Sequence, residues 1–89
     1  MNFEWFEAKR LKTLQERGLD FRDAWRLFDG RALYTYPSPR AAEARLVSVG
    51  LLEQRFIAVV RLERDGARRI ISMRRARNGE ERTYHALLG

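Results

Sequence analysis

The chain contains no cysteine, a single histidine, two prolines and, among eighteen basic residues, only two lysines. Without cysteine there are no disulfides, no thiolate metal sites and no cysteine nucleophile. With His85 as the one histidine, zinc–histidine clusters and the usual Ser-His-Asp or paired-histidine catalysts are excluded. No apolar stretch approaches the ~18–20 residues of a membrane span. The start, Met1-Asn2-Phe3-Glu4-Trp5, has neither the basic nor the apolar region of a signal peptide. Glycine-rich phosphate loops, H-E-x-x-H and EF-hand patterns are missing. The acids are scattered, which argues against a two-metal carboxylate nuclease. The expectation is a cytoplasmic protein with no metal, no cofactor and no membrane partner.

What is present is charge of one kind. Eighteen Lys and Arg face twelve Asp and Glu, a net charge of +6 on 89 residues. Sixteen of the eighteen are arginine, since Lys9 and Lys12 are the lysines. From Arg68 to Arg77 the arginines 68, 69, 74, 75 and 77 stand with no acid among them. Arginine binds phosphate with a planar fork and stacks on bases, so the balance points to nucleic acid. A length of 89 residues, 45% apolar and 34% charged, suits one globular domain with one core, residues 1–89.

Periodicity and turn residues predict the elements. Asn2 to Trp5 alternates as a short edge strand. A helix is expected from about Phe6 to Arg17, with Ala8, Leu11 and Leu14 as its apolar stripe and Gly18 as its stop. Asp20 caps a second helix that buries Phe21, Ala24, Trp25 and Phe28. Ala32 to Tyr36 reads as a strand, and Tyr36-Pro37-Ser38-Pro39 as a loop. Strands follow at Leu46–Leu52, Arg55–Arg64 and Arg68–Arg75, joined by a weaker turn signal at Glu53-Gln54 and a strong type I′ signal at Asp65-Gly66. A last helix spans Asn78 to Leu88, with Asn78 as its N-cap and Glu80 and Glu81 in its first turn.

Counting outward from the two turns pairs Arg61 with Ile70 and Leu46, Val59 with Ser72 and Ser48, and Ile57 with Arg74 and Gly50. One face then carries Val47, Val49, Leu51, Phe56, Ala58, Val60, Leu62, Ile71 and Met73. The other is mixed and carries Ser48, Gly50, Ile57, Val59, Arg61, Glu63, Arg68, Ile70, Ser72 and Arg74. The expected fold is α+β: an antiparallel or mixed sheet with both N-terminal helices and the C-terminal helix on the apolar face. The opposite face stays open for an extended anionic ligand, with Arg61 and Arg74 pointing the same way.

RNA cleavage fits these constraints. The 2′-hydroxyl attacks its own phosphodiester, so the protein needs only to orient the ribose, stabilise the phosphate charge and assist proton transfer. Arginine is always protonated and cannot carry the proton. Glu80, Lys9 and Tyr84 are the candidates for that step, each with a competing structural role. His85 reads as a surface or packing residue.

Longer signatures resemble a known family. Trp5-Phe6-Glu7-Ala8-Lys9-Arg10, Arg17-Gly18-Leu19-Asp20-Phe21 with Ala24, Phe28-Asp29-Gly30, Glu43-Ala44-Arg45 and Val49-Gly50 look like the BrnT-type toxins. So does Arg69-Ile70-Ile71-Ser72-Met73-Arg74-Arg75-Ala76 with Glu80 and Tyr84 downstream. The resemblance implies a RelE-like fold and a ribonuclease toxin of a type II toxin–antitoxin system that inhibits translation. It implies a small BrnA-type antitoxin with a DNA-binding domain, in a complex of two toxins and two antitoxins. The expected site has Arg61, Arg74 and Glu80 as catalytic residues, and Trp5, Lys9, Ser72, Arg75, Arg77 and Tyr84 against RNA. The chain departs from the family's pattern at Phe6, where an Asp is usual, and at Thr13, Glu16 and Arg17, where an Asn and a Lys-His pair are usual. The alternative is a degenerate module that binds nucleic acid or an antitoxin without cleaving RNA.

Overall fold

The computed structural model describes residues 2–39 and 44–89. Glu43, part of one family signature, lies outside them. In chain order the elements are β1 (Asn2–Glu4), α1 (Glu7–Arg17), a 3₁₀ helix (Phe21–Phe28), β2 (Tyr34–Pro37), β3 (Leu46–Leu52), β4 (Arg55–Arg64), β5 (Ala67–Arg75) and α2 (Asn78–Leu88).

Two tight turns organise the sheet. Glu53 and Gln54 have φ of 51° and 67°, and Asp65 and Gly66 have 51° and 77°. Positive φ at both central residues is the type I′ signature, whose twist matches that of the flanking strands. Leu52 therefore pairs with Arg55, and Arg64 with Ala67. The five strands lie in the order β1-β5-β4-β3-β2. β1 runs parallel to β5, and the other pairs are antiparallel. Pro37 ends β2 on the outer edge, where its missing N–H leaves no ladder bond unmade.

Between β3 and β4 the expected register holds at every pair, from Leu46–Arg61 to Gly50–Ile57. Between β4 and β5 it holds only as far as Arg61–Ile70. There a β-bulge sets Ile71 and Ser72 against Val60, so Val59 meets Met73 and Ala58 meets Arg74. One extra residue moves every later side chain to the opposite face. Ser72 and Arg74 consequently share a face with Ala58 and Val60, while Met73 joins Ile57, Val59 and Ile70. The expectation that Arg61 and Arg74 point from the same face is overturned: the sheet separates them.

Both faces are covered, also against expectation. The face of Ile57, Val59, Ile70 and Met73 is packed by Leu19, Phe21, Ala24 and Leu27 of the 3₁₀ helix region. Its small residues admit that helix rather than a ligand. A Cβ on Gly50 would stand 2.6 Å from Leu33 and 3.0 Å from Leu27. On the other face α2 lies against Val47, Val49 and Ala58, with Tyr84 and Phe56 at the contact. So α2 sits opposite the 3₁₀ helix, and the fold is α+β with helices on both sides.

The helix faces differ from the periodicity in two places. The 3₁₀ helix has three residues per turn, so Phe21, Ala24 and Leu27 are buried and Trp25 is 57% exposed. In α1 the Leu11–Leu14 stripe faces outward, with Leu11 52% and Leu14 37% exposed. The inward side holds Arg10, which bonds Glu7 and Asp20, and Arg17, whose Nη1 donates to the Met73 carbonyl at 2.9 Å. α1 thus runs along the part of β5 that the short β1 leaves uncovered. Gly18 ends it in the left-handed region at φ 69°. Phe6 precedes it without a side-chain cap, and Asp20 caps the 3₁₀ helix through the Arg22 N–H.

Candidate active site

Where β5 ends and α2 begins, a buried carboxylate collects donors. Glu80 is 7% exposed. Arg74 donates to it from Nη1 at 2.7 Å and Nη2 at 3.0 Å. The Arg77 N–H donates at 2.8 Å, which closes the first turn of α2 on Arg77 instead of Asn78. The Tyr36 hydroxyl, from β2 across the sheet, donates at 2.5 Å. Burial by itself raises the Glu80 pKa; the Arg74 fork, the Arg77 N–H and the Tyr36 hydroxyl together outweigh it and hold it at about 2. Burial, then the adjacent Glu80 carboxylate, pushes the Tyr36 phenol up. The bond to Glu80 raises Arg74.

The cluster forms the wall of a cleft of about 310 Å³ lined by Tyr36, Ser38, Val47, Val60, Arg74 and Arg77. Arg74 and Arg77 outnumber Glu80, so the cleft is positive. A guanidinium has five N–H donors; Glu80 takes two from Arg74 and the Arg75 carbonyl a third. The pairing fixes the plane of Arg74, which lines the cleft with two donors left over. Held this way, Arg74 can meet a phosphate without reorganising, the condition for electrostatic stabilisation of a transition state. Glu80 is ionised across the physiological range, which suits a positioning group better than a proton shuttle.

The other expected site residues are dispersed. Arg61 lies on the opposite face and is 7% exposed. Its Nε donates to Ser48 Oγ at 3.0 Å, its Nη1 to Glu63 at 2.7 Å, and its guanidinium lies 5.1 Å from the Phe28 ring centroid. Burial, then the neighbouring Arg68, lowers its pKa. Arg61 closes the rim of the core there. Trp5 packs against the same core and donates to Glu7. Tyr84 meets the Phe56 ring edge-on, as does His85. Arg75 is exposed at the end of β5, opposite Ile57. Ser72 and Lys9 come together in a second cleft with Lys12, Thr13, Glu16, Arg17 and Ile71. Tyr36 was missed, because its strand runs on into Pro37. The available signal was the Tyr34-Thr35-Tyr36 alternation, whose two rings stack at 5.3 Å.

Among the described residues, no three His, Cys, Asp or Glu side chains gather as metal ligands. No helix there is long and apolar enough to cross a membrane. A basic cleft on a five-stranded sheet, with an arginine fork set by a buried acid, defines a small α+β protein with a candidate site for an anionic ligand. The family model described as the ribonuclease toxin BrnT of type II toxin–antitoxin systems matches residues 5–80, and the chain belongs to that family. The family implies an antitoxin partner. No curated protein matches the chain closely enough to serve as a relative.

Proposed function

We propose that this toxin is a metal-independent endoribonuclease of RelE-like fold that inhibits translation by cleaving RNA through 2′-hydroxyl attack. Its cytoplasmic activity is neutralised by a BrnA-type antitoxin with a DNA-binding domain, in a complex of two toxins and two antitoxins. The observation that carries the reading is the Arg74–Glu80–Tyr36 cluster on the wall of the positive cleft. In this reading Arg74 takes the charge that grows on the phosphate, and Arg77 binds an adjoining phosphate. Glu80 and Tyr36 hold Arg74 in place. The reaction needs no external nucleophile, and the chain's one histidine and lack of cysteine are consistent with it.

Cleavage is expected to proceed in EDTA and to leave a 2′,3′-cyclic phosphate or 3′-phosphate. Hydrogen in place of the scissile 2′-hydroxyl should stop it. Arg74→Ala should lose cleavage and growth inhibition while staying folded. A folded, fully toxic Arg74→Ala protein would remove Arg74 from the site, and loss of activity on chelation with rescue by magnesium would sink the mechanism.

One observation favours a second reading. Both acid–base groups in the cluster have pKa values displaced away from neutrality, Glu80 downward and Tyr36 upward. A module that binds RNA or antitoxin without cleaving fits that fact, and it predicts oligonucleotide binding with no products.

A further inference from the structure

The sheet face that carries Arg74 is only partly covered by α2, and its far end forms a separate cleft. Leu62, paired with Arg69, lies on the same face as Val60 and Ala58, four residues along β4 from the level of Arg74. At the strand rise that separation is about 13 Å. Around Leu62 a cleft of about 120 Å³ is lined by Phe6, Lys9, Arg64, Arg69 and Ile71. Lys9 and Ile71 also line the cleft that contains Ser72, so the surface continues from this end toward Arg74. Phe6 is 59% exposed. The Arg69 guanidinium lies 4.9 Å from its ring centroid and is anchored by Glu4 through Nε at 3.0 Å. Lys9 and Arg64 are exposed and carry no ion pair among the described residues.

An exposed ring that shares a cleft with exposed cations offers a stacking surface and phosphate contacts side by side. Aromatic–base stacking with nearby cations is how proteins hold single-stranded nucleic acid. We propose that Phe6 is a stacking platform for a nucleobase outside the cleavage cleft, with Lys9 and Arg64 on the phosphates beside it and Arg69 fixing the ring from behind. Single-stranded RNA then runs across β5, past Ser72, between this subsite and Arg74. The occupant is RNA and not an acidic protein because the cations surround a flat ring and a narrow cleft, in line with the positive site on the same face. The inference rests on the ribonuclease reading of that site and adds to it a residue that stacks on a flanking base.

The test uses short single-stranded oligoribonucleotides with 2′-O-methyl groups, which block attack, and 2-aminopurine walked along the strand. The wild type should bind and quench 2-aminopurine at one position away from the scissile step. Phe6→Ala should weaken binding about tenfold and abolish that quenching, whereas Phe6→Trp should retain both. Arg74→Ala should weaken binding but keep the quenching. Phe6 is exposed, so its variants should fold, which far-ultraviolet circular dichroism verifies. Wild type and Phe6→Ala binding equally, with identical quenching, would overturn the proposal while leaving the ribonuclease reading intact. So would a Phe6→Ala defect confined to antitoxin binding. A wild type that binds no oligoribonucleotide would overturn both.

Discussion

Glu80 shows what one residue contributes here. A carboxylate at the first turn of a helix is ordinarily a solvated complement to the helix dipole. In this chain it is buried and receives hydrogen bonds from three residues, so its ionisation is tied to folding. Its pKa of about 2 lies below the ordinary 4.5. A depressed folded-state pKa stabilises the fold above the ordinary value, and that contribution disappears as pH falls toward the folded-state value. The difference corresponds to about 3 kcal/mol. Glu80→Gln should therefore be less stable near neutrality than the parent, and its stability should change less between pH 4.5 and 2. Denaturant unfolding across that range checks it. Parallel pH profiles for the two proteins would show that Glu80 is not what the acid titrates.

At the scale of elements, the turns and the bulge decide the geometry. Both turns are type I′, but only Asp65-Gly66 has residues suited to it. Glu53 and Gln54 occupy the left-handed region at a cost that a glycine avoids. Gln54→Gly should stabilise the protein by about 1 kcal/mol, read as a rise in thermal midpoint. Glu53 is better kept, because it accepts from Arg26 at 2.8 Å. An unchanged or lower midpoint would mean that the turn carries no such strain. The bulge at Ile71 has the larger consequence. Without it, Arg74 would point toward the 3₁₀ helix and could not reach Glu80 at the start of α2. With it, Arg74 enters the cleft and Arg61 becomes a rim residue of the core.

For the whole molecule, the net charge of +6 is spread unevenly. Several arginines are neutralised locally: Arg10 by Glu7 and Asp20, Arg31 by Asp29, Arg68 by Glu63. Of these, Arg31–Asp29 is exposed on both sides and adds little to stability, but all of them remove charge from the surfaces away from the cleft. Arg77, Lys9 and Arg64, which line clefts on the Arg74 face, carry no ion pair among the described residues. If RNA meets roughly four phosphate contacts there, the logarithm of its affinity should fall with the logarithm of salt with a slope of about −3. Titrations of a non-cleavable oligoribonucleotide at several salt concentrations measure it. Affinity that ignores salt would assign the basic face to the protein partner.

The sequence by itself determined what depends on neighbours along the chain. Glycine and aspartate signals placed the stops, caps and turns at Gly18, Asp20 and Asp65-Gly66, and alternation located β3, β4 and β5 to within a residue. Counting from the turns set the β3–β4 register completely, because alternation with no extra residue leaves a single solution. The family signatures identified the chain, and Arg74, Glu80 and Arg77 were legible as candidates. The tertiary structure alone decided the rest. A bulge has no local signature in Ile70-Ile71-Ser72-Met73: burying Ile70 and Met73 together satisfies the core, and only packing against the 3₁₀ helix selects that arrangement. The same holds for Tyr36, which reaches Glu80 from 44 residues away. Gly50 and Ser48 read as room for a ligand, yet the space is filled by Leu27 and Leu33. Hydrophobic periodicity reports that a face is buried but not by what, and on a sheet with two covered faces that choice locates the site.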